Sequence, residues 1–143
     1  MPPAPAARGP ALDVALELAQ ESLAACAVDK LSVTAVVVDS AGFVKVSLMA
    51  DGARSMTATF AARAAATALE FKMSSGEVAK LAQTDEATKA RLAANNNLFA
   101  VAGSILLKAG AETIGALAVS GARPDQNEAC ALKALQKVGP RLK

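Results

Sequence analysis

The chain has 143 residues, 53% of them hydrophobic and 20% charged, enough for one compact domain and too few for two ordinary ones. Its formal charge is +2, and Arg8, Arg141 and Lys143 at the ends supply the excess, so the body lacks the Lys and Arg clusters that give nucleic-acid surfaces their affinity. No His, Trp or Tyr is present, which excludes imidazole acid–base chemistry and base-stacking platforms built on Trp or Tyr.

Residues 1–10 (MPPAPAARGP) read as a disordered leader that lacks the basic start and apolar stretch of a signal peptide. Leu12, Leu16, Ala19, Leu23 and Cys26 recur at helical spacing and predict a helix from about Ala11 to Val28 with that face buried. Ser32 to Asp39 is β-branched and apolar almost throughout, the pattern of a strand covered on both faces. Asp39-Ser40-Ala41-Gly42 has the chemistry of a tight hairpin turn, and Phe43 to Met49 returns as partner, with Val44, Val46 and Leu48 on one face.

Asp51-Gly52 breaks that strand, and Ser55 is positioned to cap a helix over 57–72 that sets Phe60, Ala61, Ala64, Ala68 and Phe71 on one side. Alanine is about a quarter of the chain, so this helix is expected to lie close on the sheet. Capping signals at Ser74/Glu77 and Thr84-Asp85-Glu86 open two short helices, about 75–82 and 85–94. Leu98–Leu107 and Glu112–Ser120 then read as strands joined by Lys108-Ala109-Gly110-Ala111, with Gly115 marking a close backbone approach. Asp125 and Glu128 resemble a capping box for a last helix that turns Ala129, Leu132, Leu135 and Val138 inward and stops at Gly139-Pro140.

The order helix, hairpin, helices, hairpin, helix specifies an α/β (α+β) domain with a mainly antiparallel sheet of two hairpins flanked by helices. The uncharged stretch 92–107 carries three asparagines and is too short to span a membrane, so neither a membrane nor a nucleic-acid partner is expected. Cys26 and Cys130 fall inside helix-patterned segments and read as buried free thiols; a disulfide would need the first and last helices side by side.

The sequence contains neither a phosphate-binding glycine loop nor a nucleophile elbow, and without imidazole Ser120 and the cysteines are poor nucleophiles. Asp51 and Gly52 precede Arg54 at a strand-to-helix junction, and Ser120 and Gly121 precede Arg123 at another. At each, backbone amides and a guanidinium are able to hold an anion, although a plain turn explains the residues as well. Met49 and Met56 flank the first junction as core filler or as soft axial ligands for a haem iron. Asp39 and Asp51 are the acid–base candidates of an alternative enzymatic reading, and whether the protein is an enzyme stays open. Asn95-Asn96-Asn97 reads as a loop, or as amides lining a polar pocket.

Val36-Val37-Val38-Asp39-Ser40-Ala41-Gly42, Asp51-Gly52-Ala53, Thr67-Ala68 with Phe71, and Ile114-Gly115-Ala116-Leu117-Ala118-Val119-Ser120-Gly121-Ala122 through Gln126 and Glu128 resemble the GlcG/HbpS-like haem-binding family, from about Leu12 to Val138. A similar domain is appended to PduO-type corrinoid adenosyltransferases. The resemblance implies a profilin-like domain over 11–139 with a short tail at 140–143, assembly into a homo-oligomer, and a small-molecule ligand of the haem or tetrapyrrole class. The chain is expected in the cytoplasm or, if an upstream signal was removed, in the periplasm or secreted. The chain departs from the family pattern where charge matters: Met49-Ala50 replaces Arg-Met, Ala64 with Arg63 beside it replaces a Lys, and Asn127 replaces an Asp. With no His, the family's imidazole route to iron is closed, leaving Met, Cys or Lys.

Overall fold

The computed structural model describes residues 7–143; residues 1–6 of the expected leader lie outside the described residues. Helix α1 (Leu12–Val28) leads into strands β1 (Thr34–Asp39) and β2 (Val44–Met49). Helices α2 (Thr57–Phe71), α3 (Ser75–Ala82) and α4 (Glu86–Ala93) follow, then β3 (Ser104–Ala109), β4 (Glu112–Ser120) and α5 (Pro124–Val138). The four strands form one antiparallel sheet in the order β2-β1-β4-β3, so each expected hairpin is present and the two join through β1 and β4. No helix among the described residues is long and apolar enough to cross a membrane.

Both faces of the central strands are covered, which is why Ser32–Asp39 reads as an unbroken apolar run. On one face Ala35, Val37, Leu117 and Val119 pack with α1 and α5 around Leu18, Ala19 and Ala134. On the other, Val36, Val38, Ala116 and Ala118 meet Ala61, Ala64, Ala65 and Ala68 of α2. Gly115 is required by this contact-dense sheet, because a Cβ there would lie 2.1 Å from the Val38 carbonyl oxygen.

The helix faces match the sequence expectation only in part: Ala19 and Cys26 of α1 and Val138 of α5 are buried as expected, and Leu23 and Leu135 pack against the core, but the rest of each face is rotated. In α1 the buried side is Ala15, Leu18, Ala19, Ser22 and Cys26, leaving Leu12 60% and Leu16 38% exposed. In α5 it is Asn127, Cys130, Ala131, Ala134 and Val138, while Leu132 is 45% exposed and Ala129 lies outside. Where two helices and a sheet come this close, small side chains fill the seam and the larger apolar ones move to its rim.

The cysteines provide the largest correction. Helices α1 and α5 pack side by side, the Cα atoms of Cys26 and Cys130 are 5.5 Å apart, and the two form a disulfide instead of buried thiols. Residues 98–103 are not a strand either. Phe99 and Val101 close a single tight turn, the Val101 amide donating to the Phe99 carbonyl, and Gly103, at φ +145°, accepts from the Val119 amide before β3 begins. Ser55 does not cap α2, which starts after Met56 in a left-handed conformation (φ +71°). At α5 the reciprocal bond runs from the Arg123 amide to Gln126, not between Asp125 and Glu128.

Arg8 to Pro10 lie against the first hairpin: the Arg8 carbonyl accepts from the Ser40 amide, and the Arg8 guanidinium pairs with Glu112. At the other end, Arg141 pairs with Asp13 and Glu17 of α1.

Candidate functional site

Three segments meet where β1 and β4 end together. Thr34 is the register partner of Ser120, so the start of β1 lies beside the end of β4. The Thr57 hydroxyl donates to the Arg54 carbonyl at 2.8 Å and accepts from the buried Thr34 hydroxyl at 2.8 Å, fixing the approach to α2 on the sheet. From there the Arg54 guanidinium reaches the Gly121 carbonyl at 3.3 Å. Gly121 has φ +127°, and a Cβ would press at 3.1 Å on Ser32 and Val33, so the strand end can be this tight only with glycine.

Beyond Gly121, Asn127 uses both ends of its buried carboxamide on a single residue. Its Oδ1 accepts from the Ala122 amide at 3.0 Å, and its Nδ2 donates to the Ala122 carbonyl at 3.1 Å. The other wall is aromatic. Phe60 and Phe99 stack with ring centroids 5.2 Å apart, and the Phe99 amide is held at 2.7 Å by the Thr67 hydroxyl, which itself donates to the Arg63 carbonyl.

Together these groups line a cleft of about 380 Å³ that includes Arg54, Phe60, Phe99, Ser120, Gly121 and Asn127. It shares Val101 and Pro124 with a larger cleft of about 810 Å³, bordered by α3, residues 100–102 and the start of α5, whose lining includes Lys80, Glu77, Asp125 and Glu128. Both volumes fall within the range of small-molecule sites, roughly 300–1,000 Å³. One wall is aromatic, one edge basic, and the floor is backbone: this arrangement suits a flat organic molecule with an anionic substituent.

Of the residues singled out from sequence, Arg54, Ser120 and Gly121 are brought together here. Asp51 and Gly52 are not: they occupy the centre of a tight turn in which the Ala53 amide donates to the Ala50 carbonyl, Gly52 has φ +85°, and both residues face solvent. Arg123 is exposed and engaged with Asp125; that hydrogen bond, with the guanidinium charge, holds the Asp125 carboxyl below the usual aspartate range. Asp39 spends Oδ1 on the Ala41 and Phe43 amides, at 2.9 and 3.1 Å, closing the hairpin. Met49 and Met56 are each 56% exposed and line neither cleft.

Phe60, Phe99, Val101, Pro124 and Asn127 were not legible as site residues. Phe60 reads as core, and Phe99 and Val101 sit in a segment patterned as a strand. Only Asn127 carried a signal, as an amide where the family resemblance expects an acid.

Comparisons with known proteins follow the same fold. A family model described as haem degrading protein HbpS-like matches residues 11–136. A crystal structure of HbpS is 27% identical and superposes with a TM-score of 0.84, covering 95% of this chain and 94% of that one. The Klebsiella pneumoniae protein ORFY, at 20% identity, gives 0.86 over 100% and 99% of the two chains. The protein of a PduOC:heme complex, at 19% identity, gives 0.83 over 90% and 94%. No curated protein is matched by the sequence.

Proposed function

The chain belongs to the HbpS-like family, and from that membership we propose that it is a binding domain for a planar, anionic organic molecule of the tetrapyrrole class, seated in the cleft between Arg54 and the Phe60–Phe99 stack. The observation that carries this reading is the convergence, in one cleft, of a guanidinium docked on the strand end with an aromatic wall. The family's haem-degrading description supports the ligand class.

For haem itself, the lining offers the Phe60–Phe99 wall for a ring face and Arg54 for one carboxylate, but nothing for the iron. There is no imidazole in the sequence, both cysteines are in the disulfide, the exposed Met49 and Met56 line neither cleft, and no lysine lines the cleft that holds Arg54, Lys80 belonging to its neighbour. Ring faces and carboxylates then supply the binding: the aromatic wall contributes area and stacking, and Arg54 contributes a charge-assisted hydrogen bond. A homo-oligomer belongs to the same reading, supported by the exposed apolar Val44 and Met49 at the two ends of the edge strand β2 and Phe43 just before it. Of the two compartments considered, the disulfide favours an oxidising one, periplasmic or extracellular.

The test is a pair of absorbance titrations, with haemin and with metal-free protoporphyrin. Because no axial ligand contributes, the two are expected to bind within about threefold of each other, and Arg54→Ala to weaken both by about fivefold, the scale of a partly exposed charged contact. Haemin binding a hundredfold tighter than the metal-free ring, or wild-type affinity for both in Arg54→Ala, would overturn the proposal.

A further inference from the structure

A separate groove, of about 480 Å³, runs between α2 and the outer edge of the sheet and shares no lining residue with the two clefts described above. Val36 and Val44 form part of its floor, Ala62 and its helical neighbours one wall, and Ser47, Thr59, Arg63 and Asn97 contribute its polar groups. Thr59 and Arg63 are one helical turn apart and so present their side chains to the same side of α2. No carboxylate lines the groove.

The six arginines of the chain make Arg63 conspicuous. Arg8, Arg91, Arg123 and Arg141 each pair with a carboxylate, and Arg54 bonds the Gly121 carbonyl; all five are exposed. Arg63 is the one that is half-buried, and its guanidinium is absent from every hydrogen bond and ion pair formed among the described residues. Partly desolvating a cation without giving it a partner is unfavourable, and an anion entering the groove would reverse that cost.

We propose that this groove is a separate binding site for an organic monocarboxylate with a short apolar body. The guanidinium accepts the carboxylate in a two-pronged contact, the hydroxyls of Ser47 and Thr59 and the Asn97 amide offer further hydrogen bonds, and the alkyl part lies over Val44 and Ala62. The proposal stands apart from the porphyrin reading, and either can fail while the other holds.

The experiment is an NMR titration of the isotopically labelled full chain with acetate, butyrate and hexanoate, following the amides of Ala62, Ala66 and Asn97. Affinity should rise about twofold to threefold per added methylene, less than full burial would give because the groove is open. Arg63→Gln should lose at least tenfold, Arg63→Lys should keep part of the binding, and Arg8→Gln should bind as wild type. Equal shifts with hexylamine, or unchanged hexanoate binding in Arg63→Gln, would overturn the assignment. So would sedimentation showing a dimer that Arg63→Gln converts to monomer, since the anion would then come from a second copy. A thermal melt of each variant separates lost binding from lost folding; were Arg63→Gln unfolded, Arg63→Lys and the hexylamine comparison would decide.

Discussion

Asn127 shows how much one side chain can fix. Its carboxamide donates to and accepts from the same residue, so the turn from Ser120 to Ala122 keeps one shape and the Gly121 carbonyl stays where Arg54 can reach it. A carboxylate of the same size only accepts. Asn127→Asp therefore sets an ionised oxygen against the Ala122 carbonyl inside a buried site, and should cost about 1–3 kcal/mol, the penalty of a buried polar group left without its partner. Urea unfolding at neutral pH measures it. The deficit should shrink as acid protonates the new carboxyl, because the protonated form can donate again; a deficit independent of pH would show that the lost donor is not the cause. A different sign applies to the exposed pair at the start of α5. The carboxyl of Asp125 is held low by Arg123, so whatever that pair contributes is present at neutral pH and disappears only as the pH falls through the depressed value.

At the scale of the elements, strands were more legible than helix faces, for a physical reason. A strand buried on both sides must be apolar at every position, so β1 announces itself wherever its register falls. Alanine-rich helices give a weaker signal, because Leu12, Leu16 and Leu132 suggest a core side while Ala15, Ala131 and Ala134 occupy much of it. The segment 98–103 misled for the related reason that its apolar residues serve the cleft wall and not a sheet. Helix α2 is the case where alanine itself is the information. Ala61, Ala65 and Ala68 are fully buried and lie on strands whose facing residues include Ala116 and Ala118. No space remains for a larger side chain without parting helix from sheet. Ala65→Leu should consequently destabilise by about 1–3 kcal/mol despite adding apolar surface. Equilibrium denaturation is the measurement, and a neutral or stabilised variant would mean that the contact is looser than the structure indicates.

For the molecule as a whole, the sequence made the two-hairpin architecture readable but not the covalent link between its ends. Cys26 and Cys130 are separated by 104 positions, and only the packing of α1 on α5 brings them together. Their closure ties the whole sheet and helices α2 to α4 into one loop, which is where a cross-link restrains the unfolded chain most; loop-entropy arguments put the ceiling at about 4.7 kcal/mol for about 100 residues, with ~2–4 typical. The ends already meet through Arg141 with Asp13 and Glu17, and through Lys137 with Glu21, but those are surface ion pairs that contribute little each. The disulfide is thus the main device holding first and last helices together beyond their apolar seam. Protein purified without reductant should show no titratable thiol after denaturation, and reduction should lower the melting temperature by about 10 °C, the shift that ~2–4 kcal/mol produces in a domain of this size. Cys26→Ala combined with Cys130→Ala should melt near the reduced protein and become insensitive to reductant. Two free thiols in the untreated protein, or an unchanged melting temperature on reduction, would return both cysteines to the role of simple core residues and remove the argument for an oxidising compartment.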